Sequence, residues 1–186
     1  MRQSRRHQNL RVLCIALALT AGAGCGSGAP SPSSSPVATS FDEYAVGFCA
    51  AFEALFLAVG NPDTAAGSEL SKALDAAVVA RDATNADQLA AKITSELESG
   101  RQHVAYARGW SPAASMMADL DRVFVAFEAM TAAKRTAANQ GPDSVDPQAA
   151  FERAGGVDGW VAMLTAWPTI ERPDRVQPCG DLPIGP

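Results

Sequence analysis

The sequence predicts an all-α protein in which four to five amphipathic helices form a compact bundle. Alanine, the strongest helix former, supplies about a fifth of the chain, and β-branched residues never run together for the length of a strand. From residue 41 onward, apolar residues recur at intervals of three and four, the period of one helix face. Because the connections are short, we expect a bundle, flanked by an unstructured N-terminal tether and an irregular C-terminal tail.

The first three helices are predicted from their apolar periods and from the residues that precede them. Ser40 is placed to cap the first helix, which begins at Phe41 and ends near residue 60. The second helix covers about 68–81. Thr84-x-x-Asp87 is typical of a helix cap, and we expect a third helix over about 85–108.

One Ser-Pro pair and one Asp-Pro pair predict the starts of the remaining helices. Ser111-Pro112 predicts the start of a fourth helix, which residues 139–142 end, and Asp146-Pro147 predicts a fifth. Gly155-Gly156 interrupts the fifth helix, which then resumes. Gly100 inside the third helix costs about 1 kcal/mol relative to alanine, so we expect a bend or a close helix contact there.

The first 24 residues have the layout of an export signal. Four arginines precede any acidic residue, an apolar run follows at 12–19, and small residues lead to Cys25. About a dozen apolar residues rise only about 18 Å as a helix, too little to span about 30 Å of hydrocarbon. We therefore expect this segment to be cleaved, after export by the general secretory route or, because of Arg5-Arg6, by the twin-arginine route.

Ala23-Gly24-Cys25 resembles the core of a bacterial lipobox, in which a cysteine receives diacylglycerol and becomes the mature N-terminus. Gly22 departs from the pattern, which usually has a branched aliphatic residue there. The resemblance implies a lipoprotein attached through Cys25 to the outer face of the cytoplasmic membrane. Ala21-Gly22-Ala23 also fits ordinary signal-peptide cleavage, which would release a soluble secreted protein.

The residues that follow Cys25 suit a tether. Residues 26–40 are mainly Gly, Ser, Pro, Ala and Thr and offer little to bury, so we expect them to be flexible. The predicted organisation is therefore a signal peptide at 1–24, a lipidated cysteine and tether at 25–40, and a single helical domain at 41–186.

The cysteine count agrees with export. Of four cysteines, Cys14 lies in the signal peptide and Cys25 would take the lipid, which leaves Cys49 and Cys179 in an oxidising compartment. We expect these two to form a structural disulfide that holds the tail 173–186 against the first helix. The other interpretations are a free, buried Cys49 or a redox pair, although the sequence has no C-x-x-C motif.

The charge of the domain limits its partners. The full chain has a net charge of −5, and removal of four arginines with the signal peptide changes it to −9. A domain this acidic is a poor partner for nucleic acid or for anionic lipid headgroups. We therefore expect the membrane to be contacted through the lipid anchor alone.

No catalytic residue, metal site or cofactor is predicted. His103 is the one histidine after the signal peptide, so a two-histidine metal site is excluded, and neither a nucleophile elbow nor a phosphate-binding loop is present. Asp119 and Asp121 should point to different helix faces. Glu53 and Glu128 lie among the apolar residues of their helices. A pair of carboxylates from different helices, as in a hydrolase, is an alternative that the sequence leaves open.

Two groups are candidates for ligand or partner binding. The first is an interaction edge of polar and aromatic residues at a helix-to-helix turn: His103, Tyr106, Arg108 and Trp110. The second group could line a pocket for an apolar ligand, although the same side chains suit a bundle core. Its members are Met116, Met117, Met130, Met163, Phe124, Phe127, Trp160 and Trp167.

Together these observations predict a membrane-anchored lipoprotein outside the cytoplasm. Its helical domain is expected to bind a protein partner or an apolar ligand in the cell envelope without catalysis. Two other classes stay open, an envelope hydrolase with a carboxylate pair and a structural or spacer protein.

Overall fold

The computed structural model describes residues 36–61 and 66–170 together with Cys179, and this part of the chain is all-α. Its α-helices are α1 Phe41–Val59, α2 Glu69–Ala80, α3 Ala83–Ala107, α4 Ala114–Gln140, α5 Pro147–Arg153 and α6 Gly156–Ile170. Between α1 and α2, the two-residue strands β1 (Gly60–Asn61) and β2 (Ala66–Gly67) pair antiparallel. None of these helices is both long enough and apolar enough to span a bilayer.

The bundle is organised around α3 and α4. Helix α3 packs against α1, α2 and α4, and α4 in turn carries α5 and α6. The apolar stripes predicted from the sequence meet in one core, as an amphipathic bundle requires. Its largest fully buried side chains are Tyr44, Phe48, Phe52, Leu55, Leu74, Ile93, Leu97, Met116, Met117, Leu120, Phe124 and Met163.

Side-chain caps fix several helix starts where they were predicted. The hydroxyl of Ser40 accepts a hydrogen bond from the Glu43 amide at 3.3 Å. The carboxylate of Asp146 accepts from the amides of Gln148 and Ala149 at 2.9 and 3.1 Å, with Pro147 in the first turn of α5. Each of these bonds satisfies an amide that has no partner inside the helix.

The starts of α3 and α4 differ from the prediction. Asp82, not Thr84, caps α3 by accepting from the Asn85 amide at 3.1 Å. The reason is that Arg81 adopts a left-handed conformation with φ 54°, which ends α2 and leaves Asp82 in the capping position. Ser111 makes no side-chain cap, since residues Ser111–Ala113 form a 3-10 turn and α4 begins at Ala114.

The interruption predicted at Gly155-Gly156 separates α5 from α6. Gly155 has a φ of +79°, a conformation that L-residues with a Cβ rarely adopt. This glycine turns the chain so that α6 packs along α4, where a Cβ at Gly159 would lie 2.9 Å from the carbonyl oxygen of Asp119. The predicted fifth helix is therefore two helices.

Several predictions fall outside the described residues. The signal peptide, Cys25 and the tether up to residue 35 are among them, as is the C-terminal tail apart from Cys179. Cys179 itself confirms the predicted pairing, because it forms a disulfide with Cys49 of α1. Both cysteines are partly buried against the core, and the bond joins residues 130 positions apart.

We predict that the substitution Cys179→Ser lowers the free energy of unfolding by about 2–5 kcal/mol, because it removes a crosslink that limits the unfolded chain. Urea unfolding of the oxidised mature protein and of the variant measures this difference. The double variant Cys49→Ser/Cys179→Ser is the matched control and should equal the single variant, since both lose the same bond. An unfolding midpoint of the unsubstituted protein that reductant leaves unchanged would contradict the prediction.

Candidate functional site

An open groove of about 620 Å³ follows the solvent face of the second half of α3. Its α3 residues recur at helical spacing, so they form a stripe on one side of the helix. Asp121 of α4 and Val37, which precedes α1, border the same groove. The complete lining is Val37, Glu98, Arg101, Gln102, Val104, Ala105, Arg108, Gly109 and Asp121.

Arg101 joins α3 to α4 in the middle of the groove. Its Nε donates to Asp121 Oδ1 at 2.8 Å, and its Nη1 lies 3.4 Å from Glu128 Oε1. The hydrogen bond to Asp121 raises the pKa of Arg101. Partial burial lowers this pKa, and the nearby negative charges of Asp121 and Glu128 raise it. The three side chains are between 27% and 39% exposed, so water screens the pairs and their contribution to stability is small.

Two charged residues at the ends of the α3 stripe are exposed. Glu98 and Arg108 both line the groove, and within the described residues neither forms an ion pair. Glu98 lies on α3 and Arg108 caps the C-terminal end of this helix, ten residues farther, which corresponds to about 15 Å of helix. The groove therefore presents an acidic group near one end and a basic group near the other.

The chain enters the domain beside this groove. Ala38 is fully buried, and its amide donates to the Tyr106 carbonyl oxygen at 2.9 Å. The amide and hydroxyl of Thr39 both donate to Glu43 Oε2, at 2.7 and 2.8 Å, and these bonds lower the pKa of Glu43. The last residues of the predicted tether are thus held on the domain, and the chain departs next to Val37.

Gly109 makes room for this entry. A Cβ at Gly109 would lie 2.5 Å from Cβ of Val37 and 2.9 Å from the carbonyl oxygen of Ala38. These distances are shorter than real Cβ contacts, so any side chain would displace residues 37 and 38. Glycine is required at this turn because residues 37 and 38 approach it closely, and not because of its own φ angle.

The four residues of the predicted interaction edge have different roles. Trp110 stacks on Tyr44, with ring centroids 5.0 Å apart, and makes an edge contact with Phe41 at 5.5 Å. Tyr106 lies against Gly47 of α1, where an added Cβ would be 2.8 Å from its Cδ1. Both are partly buried against the core, so they pack α1 onto α3.

His103 and Arg108 occupy different surroundings. The backbone oxygen of His103 faces Gly47 of α1, its side chain is partly exposed, and it is not among the residues that line the groove. Arg108 is exposed and is the member of the predicted edge that borders the groove. Sequence reasoning missed Glu98 and Arg101, although the spacing of the polar residues on α3 was a usable signal for both, and it considered Asp121 only as a candidate carboxylate.

The candidate carboxylates do not form a pair that is free of salt bridges. Glu53 is exposed on α1. Asp119 pairs with Arg122 at 3.1 Å, whereas Asp121 and Glu128 both face Arg101. Across the described ranges, no group of three or more His, Cys, Asp or Glu side chains is arranged to hold a metal ion.

The methionine and aromatic group belongs to the core. Met116, Met117 and Met163 are fully buried, and Trp167 makes edge contacts with Phe48 and Phe52 at 4.7 and 5.6 Å. Met130 and Trp160 are partly buried against the same cluster. These side chains therefore fill space that an apolar ligand would need.

No family model matches the sequence, and comparison with curated proteins and with solved structures found no match. The function of the groove is therefore inferred from its own geometry and charge.

We predict that Gly109→Ala releases residues 37–39 from the domain, because its Cβ would overlap Val37 and Ala38. Amide hydrogen exchange should become faster at Ala38, whose amide loses its bond to Tyr106. Gly67→Ala is the matched control, since a Cβ there meets its nearest atom at 3.7 Å. Unchanged protection of the Ala38 amide in the Gly109 variant would refute this account of the turn.

Proposed function

We propose that this chain is an exported lipoprotein whose helical domain binds a protein partner, without catalysis, at the outer face of the cytoplasmic membrane. One observation carries the proposal: an open, charged groove lies where the chain enters the domain. A lipid on Cys25 would hold that groove close to the membrane, in reach of other envelope proteins.

The length of the tether supports this placement. Residues 26–36 separate the proposed lipid site from the groove. Eleven extended residues span at most about 40 Å, so the groove would stay within that distance of the bilayer. The disulfide between Cys49 and Cys179 agrees with an oxidising compartment, where such bonds persist.

The shape and chemistry of the groove favour a polypeptide over an apolar small molecule. Small-molecule sites are usually enclosed and mostly apolar. This groove is open and carries Glu98, Arg101, Arg108 and Asp121 along its length. Polar and charged surfaces of this kind are typical of reversible protein interfaces.

The same geometry favours binding over hydrolysis. Asp121 and Glu128 are both engaged by Arg101, and His103 does not line the groove. A hydrolytic carboxylate pair needs two acids placed on either side of the scissile bond, with one able to donate a proton. A salt-bridged cluster that links two helices is better suited to positioning the walls of a binding surface.

The anchoring is tested by mass spectrometry of the protein isolated from bacterial membranes. We expect a mature N-terminus at Cys25 that carries diacylglycerol, and we expect Cys25→Ala to abolish both the lipid and membrane retention. Cys14→Ala is the control, because Cys14 leaves with the signal peptide and the variant should be lipidated normally. A mature N-terminus after Ala23, or full membrane retention of Cys25→Ala, would sink the proposed anchoring.

Partner binding is tested by placing a photoreactive phenylalanine derivative in the groove of the lipidated protein in intact cells. We expect a discrete crosslinked product from position Ala105, which lines the groove. Position Ala91 is the control, because it is exposed on the same helix but does not line the groove. Identical crosslinking from both positions, or none from Ala105, would contradict a partner in this groove.

A further inference from the structure

We propose that the groove on α3 binds an extended segment of the partner that carries a basic side chain at the Glu98 end and an acidic group at the Arg108 end. This inference rests on the proposed function and specifies the chemistry of the partner. It is drawn from the charges that the fold leaves exposed along the groove and from their spacing.

The charges are unevenly distributed along the groove. In one half, Glu98 and Asp121 line the groove together with Arg101, and Glu128 pairs with Arg101 beside it, so this half is acidic. Arg108 directly follows α3, about three helical turns beyond Glu98, and makes the other half basic. A ligand with both signs of charge complements the two halves, whereas a ligand of one sign is repelled by one of them.

Glu98 and Arg108 are suited to recognition because both are exposed and, among the described residues, unpaired. A binding segment therefore need not break an existing ion pair to reach either of them. Arg101 differs, since its two bonds already hold α3 and α4 together. We assign recognition to the two end residues and a positioning role to Arg101.

The spacing sets the length of the segment. About 15 Å separates Glu98 from Arg108 along the helix, and an extended chain advances about 3.3 Å per residue. The complementary charges of the partner are therefore expected about four to five residues apart. Between them the groove is lined by Arg101, Gln102, Val104 and Ala105, and the small side chain of Ala105 lets a backbone approach α3 at this point.

Two other occupants fit the charges less well. The tether of this chain, residues 26–40, contains no charged residue and complements neither end of the groove. Nucleic acid carries phosphate throughout and would be repelled by the acidic half. A polypeptide segment with both charges satisfies each end.

The test uses the full mature protein and capped synthetic peptides in NMR titrations that follow the α3 amides. One peptide carries Arg and Glu four residues apart, and the other three carry two Arg, two Glu or no charge. We expect the peptide with both charges to bind at least tenfold more tightly than the others. Equal affinities, or shifts that spare the groove amides, would overturn the inference.

Charge reversal gives a second readout that does not depend on the direction in which the peptide lies. Glu98→Lys should weaken the mixed-charge peptide about tenfold and strengthen the peptide with two Glu. Arg108→Glu should instead strengthen the peptide with two Arg. Both residues are exposed, so neither substitution should unfold the domain, and circular dichroism verifies this.

Lys92→Glu is the matched control, because it changes the net charge as Arg108→Glu does but lies on α3 outside the groove. Equal effects of Lys92→Glu and Arg108→Glu would reduce the result to net charge and refute the inference. If no peptide binds but position Ala105 still crosslinks in cells, the charge pattern proposed for the partner is refuted and the proposed function is not. Absence of that crosslink in cells would count against the proposed function itself, whatever the peptides do.

Discussion

The close approach of α1, α3 and α4 around Gly100 is the constraint on which the rest of the structure depends. A Cβ at Gly100 would lie 2.5 Å from Cζ of Phe124 and 3.2 Å from Cβ of Ala54, so the Phe124 ring occupies the space of a side chain. A glycine inside a helix costs about 1 kcal/mol, which tight packing of the ring offsets. Because α1, α2 and α4 all pack against α3, the face that they leave uncovered in its second half is solvent-exposed and lines the groove.

The two ends of the folded domain are secured by different means. At the N-terminal end, a buried Ala38 and its bond to the Tyr106 carbonyl attach the chain to α3, and Gly109 leaves room for it. At the C-terminal end, the disulfide ties Cys179 to α1. The N-terminal attachment therefore lies at the turn that borders the groove.

Local signals in the sequence were enough for most of the fold but not for every helix start. The three-and-four period located the long helices because burial of one face dominates their stability. Ser40 and Asp146 were recognisable caps. Asp82 was missed as the cap of α3. Whether Asp82 or Thr84 caps this helix depends on the left-handed conformation of Arg81, which no local sequence pattern predicts. Cys49 and Cys179 could be paired from the number of cysteines alone, without knowledge of the fold.

The candidate site was harder to predict because it combines residues from separate helices. Aromatic residues at 106 and 110 resembled an exposed edge, and α1 packs against both so that they are only partly exposed, which depends on the packing of α1 against α3. Arg101 is bound by acids that lie 20 and 27 positions away, which spacing on one helix cannot indicate. Arg108 is different, since no packing or ion pair uses its charge within the described domain. In a chain this acidic, an exposed arginine without an ion pair among the described residues is the basic group on which our proposal of a charged partner rests.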